Sequence, residues 1–176
     1  MPLVYSFSND GFTGVRWSGV QAKADAEGLC FGYSTIWCVK MQEHPDKPLL
    51  TKPDQFGAAI LQQRVEQMPD SWDTSVKKLV ALRGNGCGPQ ISEPWGAISD
   101  HIINNPGHYI IDIGDHWVAA ANNGSYSFFD ANEGMTAFND ANTFRTGVQE
   151  RLKAYRDDPD PNNGWSDTHN FYDITK

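Results

Sequence analysis

Three residues of the sequence, Cys30, His116 and Asp130, have the types and the order expected of a nucleophile, a general base and a group that orients the base. Cys30 lies near the start of a helical pattern, where unpaired backbone N–H groups and the positive end of the helix dipole favour a thiolate. Gly28 and Gly32 flank Cys30, and their lack of side chains would let a substrate backbone approach the sulfur. The combination predicts attack of a thiolate on an amide carbonyl.

The two other cysteines are more ordinary. Cys38 lies eight residues further on in an apolar helical pattern, and Cys87 lies in a glycine-rich loop without an obvious base. Buried thiols commonly act as small hydrophobic residues. The same plain interpretation is the alternative for Cys30, but we predict that Cys30 is the only essential cysteine.

The pairing of His116 with Asp130 depends on the loop between two predicted strands. A three-residue loop over 122–124, with Gly124 at positive φ, would place the two side chains directly opposite each other at hydrogen-bond distance. The commoner two-residue Asn-Gly turn would send them to opposite faces of the sheet. Because the triad requires an odd loop length, we predict the three-residue loop.

A second histidine–aspartate pair is the alternative if the two-residue turn forms. His108 and Asp112 would both lie on one face of a single strand. In that case His116 would be a residue at the end of a surface strand, and Asp130 would be a turn former.

The element order predicts an α+β fold, because helical patterns come first and closely spaced strands follow. We expect loop with a short strand in residues 1–20, and a single domain over 1–176. Phe56, Ile60 and Val65 are predicted to be buried in the second helix. The predicted helices cover about 22–42, 53–68, 71–82, 95–104 and 139–156, and the later strands cover 108–114, 116–121, 125–130 and 169–174.

Composition excludes several classes of function. The net charge of −8 and the pI near 4.9 make nucleic acid and anionic lipid poor partners. No apolar run reaches the length of a membrane span, and the beginning of the sequence has neither the basic nor the apolar region of a Sec signal. Three cysteines cannot all pair within the chain, which favours a reducing compartment. No CxxC pair or helical HxxxH spacing is present, so we expect no metal or other cofactor.

Three short blocks resemble the YopT/AvrPphB effector cysteine proteases, which are papain-like. Gly28-x-Cys30-x-Gly32-x-Ser34-x-x-Trp37 is similar to their nucleophile motif, and His116-x-Val118-Ala119-Ala120 to their histidine strand. Phe128-Phe129-Asp130-x-Asn132-x-Gly134 is similar to the block that carries their acidic residue. The blocks occur in the family's order.

The resemblance implies a papain-like fold, no metal, and cleavage of host or target-cell proteins by a secreted bacterial effector or toxin. It implies export by a dedicated secretion system, with a protein substrate and with a cognate immunity protein or a secretion chaperone as partners. Papain-like enzymes place a Gln or Asn shortly before the cysteine to form the oxyanion hole, whereas this sequence has Ala24 and Asp25 there. The Cys30 backbone N–H and Gln21 are the candidate oxyanion donors.

The same triad chemistry fits other reactions. A peptidoglycan amidase or endopeptidase, or a glutamine deamidase, would use Cys30, His116 and Asp130 in the same roles. A non-catalytic acidic binding domain is the alternative of a different class, and the carboxylate of Asp25 at an oxyanion-hole position favours it. Only the three family blocks favour protein cleavage.

Overall fold

The computed structural model describes residues 3–6, 29–45, 50, 52–160 and 164–176. A short 3-10 helix, Trp95–Ala97, precedes the fourth α-helix. The helices, numbered in chain order, are α1 (Cys30–Glu43), α2 (Lys52–Gln67), α3 (Trp72–Leu82), α4 (Ile98–Asn104) and α5 (Ala141–Arg156). The strands are β1 (Leu3–Ser6), β2 (Gly86–Cys87), β3 (Ile91–Pro94), β4 (Gly107–Asp112), β5 (Trp117–Asn122), β6 (Tyr126–Asp130), β7 (Gly134–Phe138) and β8 (Thr168–Thr175).

The strands form an antiparallel sheet in the order β1-β7-β6-β5-β4-β8-β2, with β3 paired to β8. One face packs against α1, which shares a hydrophobic cluster with α2 and α3, and the other face packs against α4 and α5. The helix that begins with Cys30 therefore lies on an antiparallel sheet whose strands, apart from β1, come from residues 86–175, and the predicted α+β class is confirmed.

Local sequence explains where the helices begin. Ser71 accepts a hydrogen bond from the backbone N–H of Thr74 at the start of α3. Asp140 and Thr143 form a reciprocal capping box at the start of α5. Helix α1 lies between the sheet and α2, so residues on all its sides are buried along most of its length. Within the described ranges, no helix has both the length and the apolarity needed to cross a bilayer.

The prediction that Phe56 and Ile60 are buried in α2 is wrong, since both are 50% exposed. The buried side of α2 is instead formed by Ala58, Leu61 and Val65, which follow a 3–4 residue spacing. Phe56 and Ile60 are four residues apart on another side of the helix. Only Val65 of the three predicted residues belongs to the core.

Candidate active site

The β5–β6 hairpin has a three-residue loop, as predicted, but this loop is 123–125. Gly124 has the predicted positive φ of 95°. The register of β5 against β6 differs by two residues from the expected one. Val118, and not His116, is therefore opposite Asp130. A shift of two residues preserves the alternation of side chains. His116, just before β5, therefore keeps the face of Asp130.

His116 and Asp130 form the predicted hydrogen bond, with 2.9 Å between His116 Nε2 and Asp130 Oδ1. The bond uses Nε2 and leaves Nδ1 of the ring for another partner. Cys30 also interacts with the imidazole. Burial lowers the pKa of His116, but the interactions of the ring with Asp130 and Cys30 outweigh this effect and raise the pKa to about 9. The structure thus favours an imidazolium between the sulfur and a carboxylate.

Asp130 has several hydrogen-bond partners in addition to His116. Its Oδ2 accepts hydrogen bonds from Arg151 Nε at 2.8 Å and Tyr155 Oη at 2.7 Å, and its Oδ1 accepts one from the Asn132 backbone N–H at 2.9 Å. Burial would raise the pKa of this 2%-exposed carboxyl, but His116, Arg151 and the Asn132 N–H together hold it below its usual range. Asp130 is therefore a fixed anion.

Helix α5 supplies two of these groups, Arg151 and Tyr155, which lie four residues apart on one helix face. The Tyr155 ring packs against the His116 imidazole with centroids 5.0 Å apart. Arg151 lies 4.9 Å over the Tyr155 ring. Burial and the charge of Asp130 raise the pKa of the Tyr155 phenol, so it stays a hydrogen-bond donor. The α5 face thus orients the carboxylate and also supports the imidazole.

Cys30 is the first residue of α1 and is 3% exposed. The Ser34 hydroxyl, one turn further along, donates a hydrogen bond to the backbone carbonyl of Trp117 at 3.2 Å. The Phe31 ring meets the Trp117 ring edge-to-face, with centroids 5.1 Å apart. Because Trp117 directly follows His116, these two contacts hold the start of α1 against the beginning of β5, next to the histidine.

Comparison with known proteins identifies the fold. Neither models of protein families nor curated protein sequences give a match to this chain. The crystal structure of the Pseudomonas avirulence protein AvrPphB has a TM-score of 0.64 to it at 12% identity, over 86% of this chain and 94% of that one. The chain has the fold of AvrPphB. PatoxP, a cysteine protease-like domain of the Photorhabdus asymbiotica toxin PaTox, is similar with a TM-score of 0.43 at 13% identity, over 85% and 48%.

The AvrPphB fold confirms the family resemblance predicted from the three sequence blocks at the level of the fold. It also confirms the papain-like arrangement, in which the cysteine begins a helix that packs on an antiparallel sheet. Because identity is 12%, this likeness concerns architecture. The chemistry rests on the contacts of Cys30, His116 and Asp130.

The structure does not place Gly32 at an open cleft, so that prediction needs correction. Gly32 is buried where α1 crosses α2, and a Cβ at this position would overlap the backbone carbonyl of Ala58. A glycine is required there for close helix packing. The other proposed cleft glycine, Gly28, and the candidate oxyanion donor Gln21 lie outside the described residues.

The alternative pair, His108 with Asp112, is not brought together. The two residues are four apart on β4, which separates them by about 13 Å along the strand. Asp112 Oδ1 accepts a hydrogen bond from the Gly114 backbone N–H at 2.9 Å. His108 Nε2 is buried with no hydrogen-bond partner in the described part of the chain. This pair cannot form the base and the orienting group of one site.

Cys38 and Cys87 have the environments of structural thiols. Cys38 is completely buried, and burial raises the pKa of its thiol. Cys87 is partly buried, and burial is again the largest cause that raises its thiol pKa, to about 11. Both side chains are therefore protonated near neutral pH and lack the nucleophilic form.

Proposed function

We propose that this protein is a papain-like cysteine protease in which Cys30 is the nucleophile, His116 the general base and acid, and Asp130 the group that orients the imidazole. The observation that carries the proposal is the position of His116. Its Nε2 is hydrogen-bonded to the buried carboxylate of Asp130, and Cys30 interacts with the same ring. A base held between a thiol and a buried carboxylate is the arrangement that thiol-based acyl transfer requires.

The reaction would proceed through a thioester. The Cys30 thiolate attacks the carbonyl carbon of the scissile bond, and a proton on His116 Nδ1 passes to the leaving amine as the C–N bond breaks. His116 then takes a proton from a water molecule, which attacks the thioester and releases the acid product and the thiolate. Asp130 keeps Nε2 protonated through both steps, so that Nδ1 is the nitrogen that exchanges protons with substrate.

The oxyanion would be bound at the start of α1. The backbone N–H of Cys30 has no acceptor within the described part of the chain, and it lies beside the reacting sulfur. We propose it as one donor, and Gln21 as the second. The dipole of α1 adds a partial positive charge at the same place.

For the biological setting, we propose a secreted bacterial effector or toxin that cleaves a protein of the target cell. The support is the fold shared with a Pseudomonas avirulence protein. Export would use a dedicated secretion system without a Sec signal, with a secretion chaperone or a cognate immunity protein as partner. Expression of wild type and Cys30→Ala in bacterial cytosol, bacterial periplasm and a eukaryotic host tests this setting. Toxicity of the wild type alone in the eukaryotic host or cytosol supports protein cleavage, whereas periplasmic toxicity alone would indicate peptidoglycan hydrolysis.

Chelation and alkylation separate thiol catalysis from metal catalysis. No group of three metal-ligating side chains occurs within the described ranges. We expect hydrolysis of a peptide-library substrate to be unchanged after EDTA treatment and to be lost after iodoacetamide treatment, in parallel with modification of Cys30. Loss with EDTA, together with resistance to iodoacetamide, would exclude the thiolate mechanism.

A further inference from the structure

Gln62 of α2 caps the helix that begins with the nucleophile. Its Oε1 accepts hydrogen bonds from the backbone N–H groups of Phe31 at 3.0 Å and Gly32 at 3.3 Å. These are the two residues that follow Cys30 in α1. Gln62 is 6% exposed, so these bonds are shielded from water. A buried side chain that follows Phe31 by 31 positions in the sequence thus fixes the helix start beside the sulfur.

The direction of the Gln62 amide is determined by its neighbours. Its Nε2 donates a hydrogen bond to Glu66 Oε1 at 2.9 Å, one turn further along α2. Only the amide oxygen can accept from two N–H groups, and only the amide nitrogen can donate to a carboxylate. Gln62 therefore presents its oxygen to α1, and Glu66 holds it in that orientation.

Among the described residues, the chain that leads into α1 supplies no cap for this helix. The residue before it, Leu29, makes no side-chain hydrogen bond to the helix, and the first turn contains no acidic residue. Helix starts usually receive a Ser, Thr, Asp or Asn cap from the chain itself. Here Gly32 allows α2 to come close at Ala58, and Gln62, four residues after Ala58, reaches the N–H groups of Phe31 and Gly32 from the same side of α2.

We propose that Gln62 is a positioning residue of the reaction assigned above, which caps α1 with a neutral acceptor. Two of the N–H groups at the helix start are occupied by Gln62, whereas the Cys30 N–H has no acceptor among the described residues and could serve the substrate. A carboxylate in the same place could also accept from both N–H groups, but it would lose the hydrogen bond to Glu66, and its charge would oppose both the thiolate and the oxyanion. The inference rests on Cys30 being the nucleophile.

Three variants of adjacent α2 residues separate capping from charge. Gln62→Glu keeps the acceptor and adds a charge at the cap, and Gln62→Met removes the acceptor at similar size. Gln63→Glu adds the same charge at the neighbouring exposed position and is the control. For each, the rate of iodoacetamide modification of Cys30 is followed by peptide mapping from pH 5 to 10, and the melting temperature is measured. Wild type and His116→Ala are measured alongside.

The expected results differ for each variant. Gln62→Glu should melt below wild type, because its new carboxylate faces Glu66 Oε1 in place of the donating Nε2. The midpoint of its alkylation profile should move up by about one pH unit, as for a like charge close to a titrating group. Gln62→Met should melt lower by about 5 °C, because two buried N–H groups lose their acceptor. It should also react about tenfold more slowly at pH 7, since a frayed helix start no longer holds the sulfur against His116. Gln63→Glu should match wild type.

Two failures can be told apart. If the Gln62→Glu and Gln62→Met alkylation profiles superpose on that of wild type, while His116→Ala differs from wild type, Gln62 is a structural cap only and the inference is overturned. If wild type and His116→Ala give the same profile, the proposed nucleophile–base pair itself is wrong.

Discussion

Cys30→Ala is expected to reduce peptide hydrolysis by at least ~10⁴-fold, because no other group can form the thioester. Its stability should change little, by about 1 kcal/mol, because the substitution removes one buried sulfur atom. Rates are measured with a peptide-library substrate, and stability is measured by urea unfolding.

Two matched variants test whether the effect belongs to Cys30. Cys87→Ser changes a partly buried thiol and should keep full turnover. Cys38→Ala removes a completely buried thiol of the same helix and should keep turnover at a similar cost in stability. Full activity of Cys30→Ala, or loss of activity in either control alone, would contradict the assignment of the nucleophile.

Asp130→Asn should lower the rate of hydrolysis by about 10²–10⁴-fold, because an amide no longer fixes the imidazole tautomer or stabilises the imidazolium. It should also cost about 2–3 kcal/mol of the free energy of unfolding, since the 24%-exposed side chain of Arg151 loses one anion but keeps Glu133 at 2.7 Å. Asp100→Asn is the control. This substitution removes an exposed ion pair between Asp100 and Arg145, which lies in α5 like Arg151. It should lower the free energy of unfolding by less than about 1 kcal/mol and leave the rate of hydrolysis unchanged.

The stability deficit of Asp130→Asn should depend on pH in a defined direction. The pKa of His116 is raised to about 9 in the folded protein, so its contribution to stability is full below its unfolded value near 6.5 and is lost as pH rises through about 9. The pKa of Asp130 is lowered, so its contribution is present above the usual carboxyl range and is lost only in strong acid. Urea unfolding from pH 5 to 10 should show the largest deficit between about pH 5 and 7. A deficit that grows above pH 9 would contradict the His116–Asp130 coupling.

Side-chain alternation was sufficient to predict that His116 and Asp130 share a face, but it could not determine their register. A strand pattern of period two is unchanged by a shift of two residues. The turn residues did not resolve the ambiguity, since Gly124 is the middle residue of the loop over 123–125 and would be the last of one over 122–124. The His116–Asp130 hydrogen bond forms in the observed register because His116 lies just before the paired part of β5 and reaches Asp130 from there.

The sequence does not predict that α5 contributes Arg151 and Tyr155 to the site. In the sequence, Tyr155 continues the apolar spacing of Phe144, Val148 and Leu152, and Arg151 has the appearance of a solvent-exposed charge in a helical pattern. Their spacing of four on one helix face is the available signal, but it does not name Asp130 as the partner. Gly32 has the same sequence pattern whether it opens a cleft or admits a neighbouring helix, so only the packing of α2 distinguishes the two.

The most direct test of the central claim is the pH dependence of Cys30 alkylation in wild type and in His116→Ala. In the wild type, the His116 ring beside the sulfur should make Cys30 reactive with iodoacetamide at neutral pH. In His116→Ala, reaction should become appreciable only as pH approaches about 8.5, the range of an ordinary thiol. The predicted result is two profiles separated by more than about one pH unit. Profiles that coincide would show that His116 does not activate Cys30, and the proposed triad would be wrong.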